Sequence, residues 1–238
     1  MSSQTVADTL QLQSHERLGL SQFEHIRTRL VGRLRLGFYA KFTRYGLRRD
    51  LGLSMEKPKA KIPILVRPLE DRDISPLFFN NSFPTDFTEQ MDVAQRLSFI
   101  DKGARGGFVA VDSRTETPCY VQWLLSSRDN DFIRKLGGFP LLEADEALLE
   151  NAYTPPPYRG LGIMSAAMAA IAERATEFGA RHVLFFVGDH NIASLKGSQR
   201  AGFYPHMQHH RTALCFGIIT RHRFEKAPRV FPNWPPTS

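Results

Sequence analysis

The run Tyr158-Arg159-Gly160-Leu161-Gly162-Ile163 carries the residue types best suited to chemistry in this chain. An apolar, strand-like stretch, Leu148 to Tyr153, leads into it past Pro155-Pro156-Pro157, and an Ala- and Met-rich helical pattern follows. Glycines there let the backbone come close to a ligand, and the first turn of a helix leaves N–H groups unpaired and pointing outward. Such a terminus favours a pyrophosphate. Taken alone, the run suits a glycine-eased turn without a ligand equally well. A second run, Asn191-Ile192-Ala193-Ser194, starts the next helix, and Arg200-Ala201-Gly202-Phe203 ends it. His206, His209 and His210 cluster near a strand end, but no Cys or carboxylate with ligand spacing accompanies them, so no metal is expected. Asp189 and His190 suit a cap and loop as well as substrate contact, and Arg181 and Arg211 read as surface charge.

Together these runs resemble the GNAT superfamily of acyl-CoA-dependent N-acyltransferases. The family's cradle reads Q/R-x-x-G-x-G/A; Arg159 holds its first position and Gly162 its glycine, while the last small position is Met164. The stretch before it often reads E-x-L-Y-V-x-P-x-Y-R, which Glu150, Tyr153, Pro156, Tyr158 and Arg159 match and Ala152 and Thr154 do not. The later helix reads N-x-x-S-x-x-x-Y-x-K-x-G-F, matched by Asn191, Ser194, Gly202 and Phe203. The resemblance covers about residues 62–216. It implies acetyl-CoA, or another acyl-CoA, as acyl donor, with no metal. The pyrophosphate would rest on the N–H groups of Gly160, Leu161, Gly162, Ile163, Met164 and Ser165, beside Arg159, with Asn191 and Ser194 completing the cofactor site. The bulky Met164 side chain must then point away.

Acyl transfer from a thioester to an amine needs a neutral amine, and a carboxylate can take its proton directly or through a water. The resemblance assigns that role to Glu150; Glu146 shares its strand parity. In regular alternation Glu150 shares a face with Leu148 and Ala152, opposite Asn151 and Tyr153. The thioester oxygen gains charge in the transition state and needs an N–H donor. The resemblance places it at Tyr153 to Pro155, where Thr154 is preferred because Pro155 has no N–H. The family's tyrosine, similar to a general acid for the departing thiolate, is replaced by Ser198, a poor proton donor.

The elements that position these groups read as mixed α/β: strands at Ile62–Leu69, Gly107–Val111, Cys119–Leu125, Leu148–Tyr153, His182–Val187, Phe203–Gln208 and Thr212–Ile219. Helices read at Glu70–Phe79, Thr85–Lys102, Gly160–Phe178 and Asn191–Ala201, with 128–145 a short helix and a loop. The resemblance makes this a mostly antiparallel sheet, splayed at the cofactor site and flanked by helices. Upstream, residues 1–13 read as a disordered lead, and Ser21-Gln22-Phe23-Glu24 fits a capping box. Phe23, Ile26, Leu30 and Leu34 then face away from Arg27, Arg29, Arg33 and Arg35, an amphipathic basic helix. Phe38 to Leu47 reads as extended or irregular, and Glu56–Lys61 as a linker. The domains expected are a basic extension (1–60), an acyltransferase-like domain (61–227) and a Pro-rich tail (228–238).

The 238 residues carry a net charge of +7. Residues 1–60 hold eleven basic and five acidic residues, +6 of that total. A nucleic-acid binder would spread its charge over the working face, so no nucleic acid is expected as a partner. The basic helix suits packing on the domain, an anionic membrane surface, or docking of an acyl carrier protein through 14–50. With two Cys and no apolar h-region near the N-terminus, the expected location is cytoplasmic, with peripheral membrane contact as a variant. The function expected is transfer of an acetyl group from acetyl-CoA to a small-molecule primary amine by direct attack in a ternary complex. Its alternatives are an N-acyl amino acid synthase-like enzyme drawing a longer chain from a carrier protein, and a non-catalytic CoA-binding module.

Overall fold

In a computed structural model of the chain, residues 37–79 and 87–227 are described, Phe87 by its backbone only. The basic helix and the Pro-rich tail expected from the sequence lie outside the described residues. Eight strands form one sheet: β1 (Tyr39–Asp50), β2 (Ile64–Pro68), β3 (Gly107–Asp112), β4 (Thr117–Ser126), β5 (Glu146–Tyr153), β6 (His182–Gly188), β7 (Tyr204–Leu214) and β8 (Ile219–Lys226). Their spatial order is β2-β3-β4-β5-β6-β1-β7-β8. The helices are α1 (Asp71–Phe78), α2 (Phe87–Asp101), α3 (Asn130–Leu136), α4 (Ile163–Glu173) and α5 (Ile192–Arg200).

Contacts divide the chain into two units, one comprising residues up to Lys41 with Thr212–Arg221, the other Phe42–Arg211 with the residues from His222 onward. In the smaller unit the Phe216 and Cys215 N–H groups donate to the Gly37 and Phe38 carbonyls, and the Phe38 and Phe216 rings meet edge to face at 5.5 Å. Cys215, Phe216 and Gly217 take positive φ there. This turn falls inside the apolar stretch that the sequence presents as one strand, Thr212–Ile219. The strand before it instead runs unbroken from Tyr204 to Leu214.

In the larger unit two apolar layers cover the sheet. Ala147 and Leu149 of β5 pack with Ile163, Ala167, Met168 and Ile171 of α4 and Leu195 of α5. Leu148 of β5 and Leu184 and Phe186 of β6 pack with Leu77 of α1, Val93 and Phe99 of α2 and Ile133 of α3. Side chains alternate across a strand, so neighbouring β5 residues enter opposite layers.

The largest departure from the sequence reading is β1. Residues of the expected 1–60 extension pair antiparallel with β6, from Arg44↔Gly188 to Asp50↔His182. The boundary near 60 therefore does not hold for residues 39–60. Gly46 permits this pairing: a Cβ there would meet the Phe186 ring at 2.8 Å and Met207 closer still. The buried Arg49 reaches from β1 to α4, donating to the Ala169 carbonyl (3.1 Å) and pairing with Glu173 (3.2 Å), which also takes Lys57 (2.7 Å). The Lys61 N–H donates to the Leu161 carbonyl in the glycine turn (2.8 Å). Deleting residues 1–60 removes a strand that lies between β6 and β7, along with the Arg49 and Lys57 tethers. Calorimetry of that truncation should show no cooperative unfolding transition; a folded, CoA-binding fragment would contradict the placement of β1.

Candidate active site

Where the site forms, two strands part. β5 and β6 pair in parallel only from Glu146↔His182 to Leu149↔Phe185. Beyond that, β5 continues to Tyr153 and β6 to Gly188 without each other, opening a wedge in the sheet. A bulge bends β5 at the same point. Trp123 lies opposite Glu150 and Val121 opposite Tyr153, so β5 carries one residue more than β4, and Asn151 takes φ 61. Bulges of this kind re-aim side chains. Here the alternation flips: Tyr153 joins Leu148 in the layer under α1 and α2, while Ala152 packs in the layer under α4. The face expected from regular alternation is therefore corrected: Tyr153, not Ala152, shares the side of Leu148 and Glu150.

The glycine turn closes the wedge. Gly160 and Gly162 both take left-handed φ, 76° and 74°, which a Cβ disfavours. Gly162 is the N-cap of α4 and no side chain caps it. The first α4 bond is from Ala166 N–H to the Gly162 carbonyl (3.3 Å), which leaves the N–H groups of Ile163, Met164 and Ser165 without intrahelical acceptors. The next helix differs: Asn191 caps α5, its side chain accepting from the Ser194 N–H at 3.1 Å. Met164, bulky at a position small in the motif, is accommodated by Gly197 on α5, whose Cβ position lies 3.1 Å from the Met164 Sδ. Arg159 Nε donates to the Thr154 carbonyl (3.0 Å), and Nη2 pairs with Glu89 of α2 (2.9 Å). The same carboxylate accepts from the Tyr153 hydroxyl. Tyr153 therefore offers only its backbone to a ligand in the wedge, and burial followed by the Glu89 contact pushes its phenol well above the usual value. Leu161 is half-buried in the turn between the two glycines.

Glu150 is half-buried at the wedge, and among the described residues its Oε2 is buried without a hydrogen-bond partner. Burial raises its pKa above the ordinary 4.5, while Arg44 of β1, the Asn151 N–H and Arg96 of α2 oppose the rise. Arg96 donates to the Ala152 carbonyl (2.9 Å), pairs with Asp92 (3.2 Å) and lies 5.7 Å from the Tyr153 ring centre. Glu146 sits at the far end of β5 opposite His182, roughly 13 Å along the strand at 3.3 Å per residue, and accepts the Glu143 N–H (3.1 Å). Ser198 is fully buried, its hydroxyl donated to the Ser194 and Leu195 carbonyls of its own helix (2.9 and 3.1 Å).

His206, His209 and His210 do not converge. His210 meets Thr43 (3.2 Å), while His209 stacks on His222, Nε2 to Nδ1 at 2.8 Å. Burial, reinforced by Arg44, holds His209 down at about 3, so its imidazole is neutral. No group of three or more His, Cys, Asp or Glu among the described residues is placed to hold a metal. Asp189 and His190 contact each other at 3.2 Å just before α5, and Arg181 pairs with Asp50 (3.3 Å). Sequence reasoning passed over Arg44 of β1 and Glu89 and Arg96 of α2, which come to the wedge from two different elements. Glu89 carried one signal: an acidic side chain in a first helical turn.

No helix among the described residues is long and apolar enough to cross a membrane. No curated protein matches the sequence. Among solved structures, the chain is similar to a GCN5-related N-acetyltransferase from Sphaerobacter thermophilus, at 14% identity and a TM-score of 0.47 over 85% of this chain and 57% of that one. It is also similar to a GNAT-family acetyltransferase from Colwellia psychrerythraea, at 14% identity and a TM-score of 0.45 over 79% of this chain and 57% of that one. The chain thus spans little more than half the length of these two structures. The model of the acetyltransferase (GNAT) family matches residues 79–203, from the end of α1 through the wedge and glycine turn to the end of α5, and the chain belongs to that family.

Proposed function

We propose that the protein transfers an acetyl group from acetyl-CoA to a primary amine by direct attack, both substrates being bound at the wedge together. The observation that carries this reading is the uncapped N-terminus of α4, set beside a splayed β5 that bears a buried, partnerless carboxylate oxygen. When bound, acetyl-CoA supplies the thioester. The N–H groups of Ile163, Met164 and Ser165 are free to hold its pyrophosphate. The turn from Thr154 to Arg159 fixes where the thioester end enters, and the Thr154 N–H is the donor proposed for the oxygen that gains charge. Glu150 accepts a proton from the incoming ammonium, directly or through a water. Its raised pKa brings it closer to working pH, where a base is most effective. The amine nitrogen then bonds to the thioester carbon, the carbon–sulfur bond breaks, and the thiolate takes its proton from the amine nitrogen by way of water. Cys119 is no rival nucleophile: it is fully buried, and burial pushes its thiol up to about 12.

Ser198 favours a second reading, a CoA-binding module without turnover, because its hydroxyl is committed to its own helix. Thiol release separates the two. The enzyme reading expects release from acetyl-CoA only when an amine is added; binding of acetyl-CoA with no release across a broad amine panel supports the module. The carrier-protein alternative is tested by the same assay with a carrier-bound acyl chain as donor.

A further inference from the structure

On one face of the sheet in the larger unit Glu150 faces Arg44, and Arg44 in turn faces Arg211. Arg44 lies on β1 and Arg211 on β7, strands that are neighbours in the sheet. Arg44 Nη2 donates to the Gly138 carbonyl at 2.6 Å, and Arg44 Nε donates to His209 Nδ1 at 3.1 Å. Its guanidinium lies 4.7 and 5.5 Å from the centres of the Phe139 and Phe186 rings. Nδ1 of His209 accepts from Arg44, so its proton is on Nε2 and points to His222. Arg44 is thus gripped by neutral groups only. Two residues along β7 from His209, on the same side by alternation, Arg211 stacks 5.5 Å over Phe42, with its Nε buried and unpartnered. Among the described residues neither arginine has a carboxylate in ion-pair contact. Arg96 differs, since Asp92 pairs with it.

Half-buried guanidinium groups left without a counter-ion are costly, and a fork of N–H donors matches carboxylate and phosphate oxygens in pairs. We infer that the acceptor is an amine carrying an anionic group, a carboxylate or a phosphate, which Arg44 and Arg211 receive while Glu150 takes the amine. This rests on the acyltransfer reading above and narrows it. Phe139 and Phe186, whose rings flank Arg44, supply apolar surface beside it. A simple alkylamine would leave both cations unpaired beside a carboxylate that has just gained a proton.

The test uses the full chain, acetyl-CoA and matched acceptors: β-alanine against propylamine, O-phosphoethanolamine against ethanolamine, and phenylalanine against phenethylamine. The anionic member of at least one pair should show kcat/KM higher by about 10- to 100-fold, the weight of a charge-assisted pair. The favoured pair tells carboxylate from phosphate. Arg211→Gln, and separately Arg44→Lys with folding checked by circular dichroism, should shrink that ratio toward one. Turnover of neutral amines at least as fast as their anionic partners overturns the inference and leaves the acyltransfer reading standing. A preference for anionic acceptors that persists undiminished in Arg211→Gln and in a folded Arg44→Lys overturns the assignment of these two residues. Acetyl-CoA binding without thiol release for any acceptor overturns the acyltransfer reading and the inference together.

Discussion

Glu150→Gln should lower kcat at pH 7 by about 10²- to 10⁴-fold, the usual weight of a general base. The KM for acetyl-CoA should stay near the wild-type value, because the carboxylate takes no part in holding the donor. An alkyl ammonium has a pKa of about 10, so free amine is scarce at pH 7 and grows more abundant as the pH rises. The deficit should therefore shrink toward high pH. The same substitution has an opposite effect on stability. Burial outweighs Arg44 and Arg96 and sets the folded pKa of Glu150 above its ordinary 4.5. Folding thus takes up a proton at this site: the stability it contributes is present below the unfolded pKa and is lost as pH rises through the folded one. Glu150→Gln should raise Tm at pH 7, and the gap should close below about pH 4. Kinetics and thermal scans over pH 4 to 9 check both halves. A near-normal kcat at pH 7 would remove Glu150 from the chemistry, and a lowered Tm there would show that the two arginines outweigh burial.

The second large effect belongs to the glycine turn. Gly162 is a poor probe: beyond its left-handed φ, a Cβ there would sit 3.2 Å from the Lys59 carbonyl, so Gly162→Val disturbs the linker and is not neutral for the fold. Gly160 and Gly179 form a better pair. Both have left-handed φ, 76° and 87°, and neither has an atom within 4 Å of its Cβ position. Valine at either costs about 1–2 kcal/mol of backbone strain. Only Gly160 lies at the proposed pyrophosphate site. Gly160→Val puts a side chain on a turn that needs left-handed φ and close approach, and should weaken acetyl-CoA binding by about 10- to 100-fold, as much as losing one charge-assisted contact, with Gly179→Val near wild type. Titration calorimetry on the three proteins decides it, and equal affinities would move the pyrophosphate away from this turn.

What was legible in the sequence was local. Gly160 and Gly162 announce the turn into α4, and Asn191 and Gly202 announce the two ends of α5. The strands flanking them read correctly because their apolar runs are uninterrupted. β1 was legible only as an extended or irregular stretch, since Lys41, Arg44, Arg48, Arg49 and Asp50 break the apolar pattern of a central strand. Two of those charges have work that only the fold reveals, Arg49 bound to Glu173 and Arg44 set beside Glu150. The turn at Cys215 and Phe216 was hidden because those residues rarely take positive φ, and no Asn-Gly or Asp-Gly pair marks it. The β5 bulge was hidden for a similar reason: one residue, Asn151, reverses the faces after it. Arg44, Arg96 and Arg211 came together from distant elements, and spacing along the chain cannot express that.

A single-turnover experiment tests the central claim most directly. Protein in slight excess over acetyl-CoA is mixed with a saturating amine, and free thiol, amide product and the intact protein mass are followed together. Direct attack in a ternary complex predicts thiol and amide appearing at one rate and in equal amounts, no thiol without amine, and no acylated protein at any time. Acetyl-CoA that stays intact with every amine, or an acylated protein that forms before the amide, would contradict it.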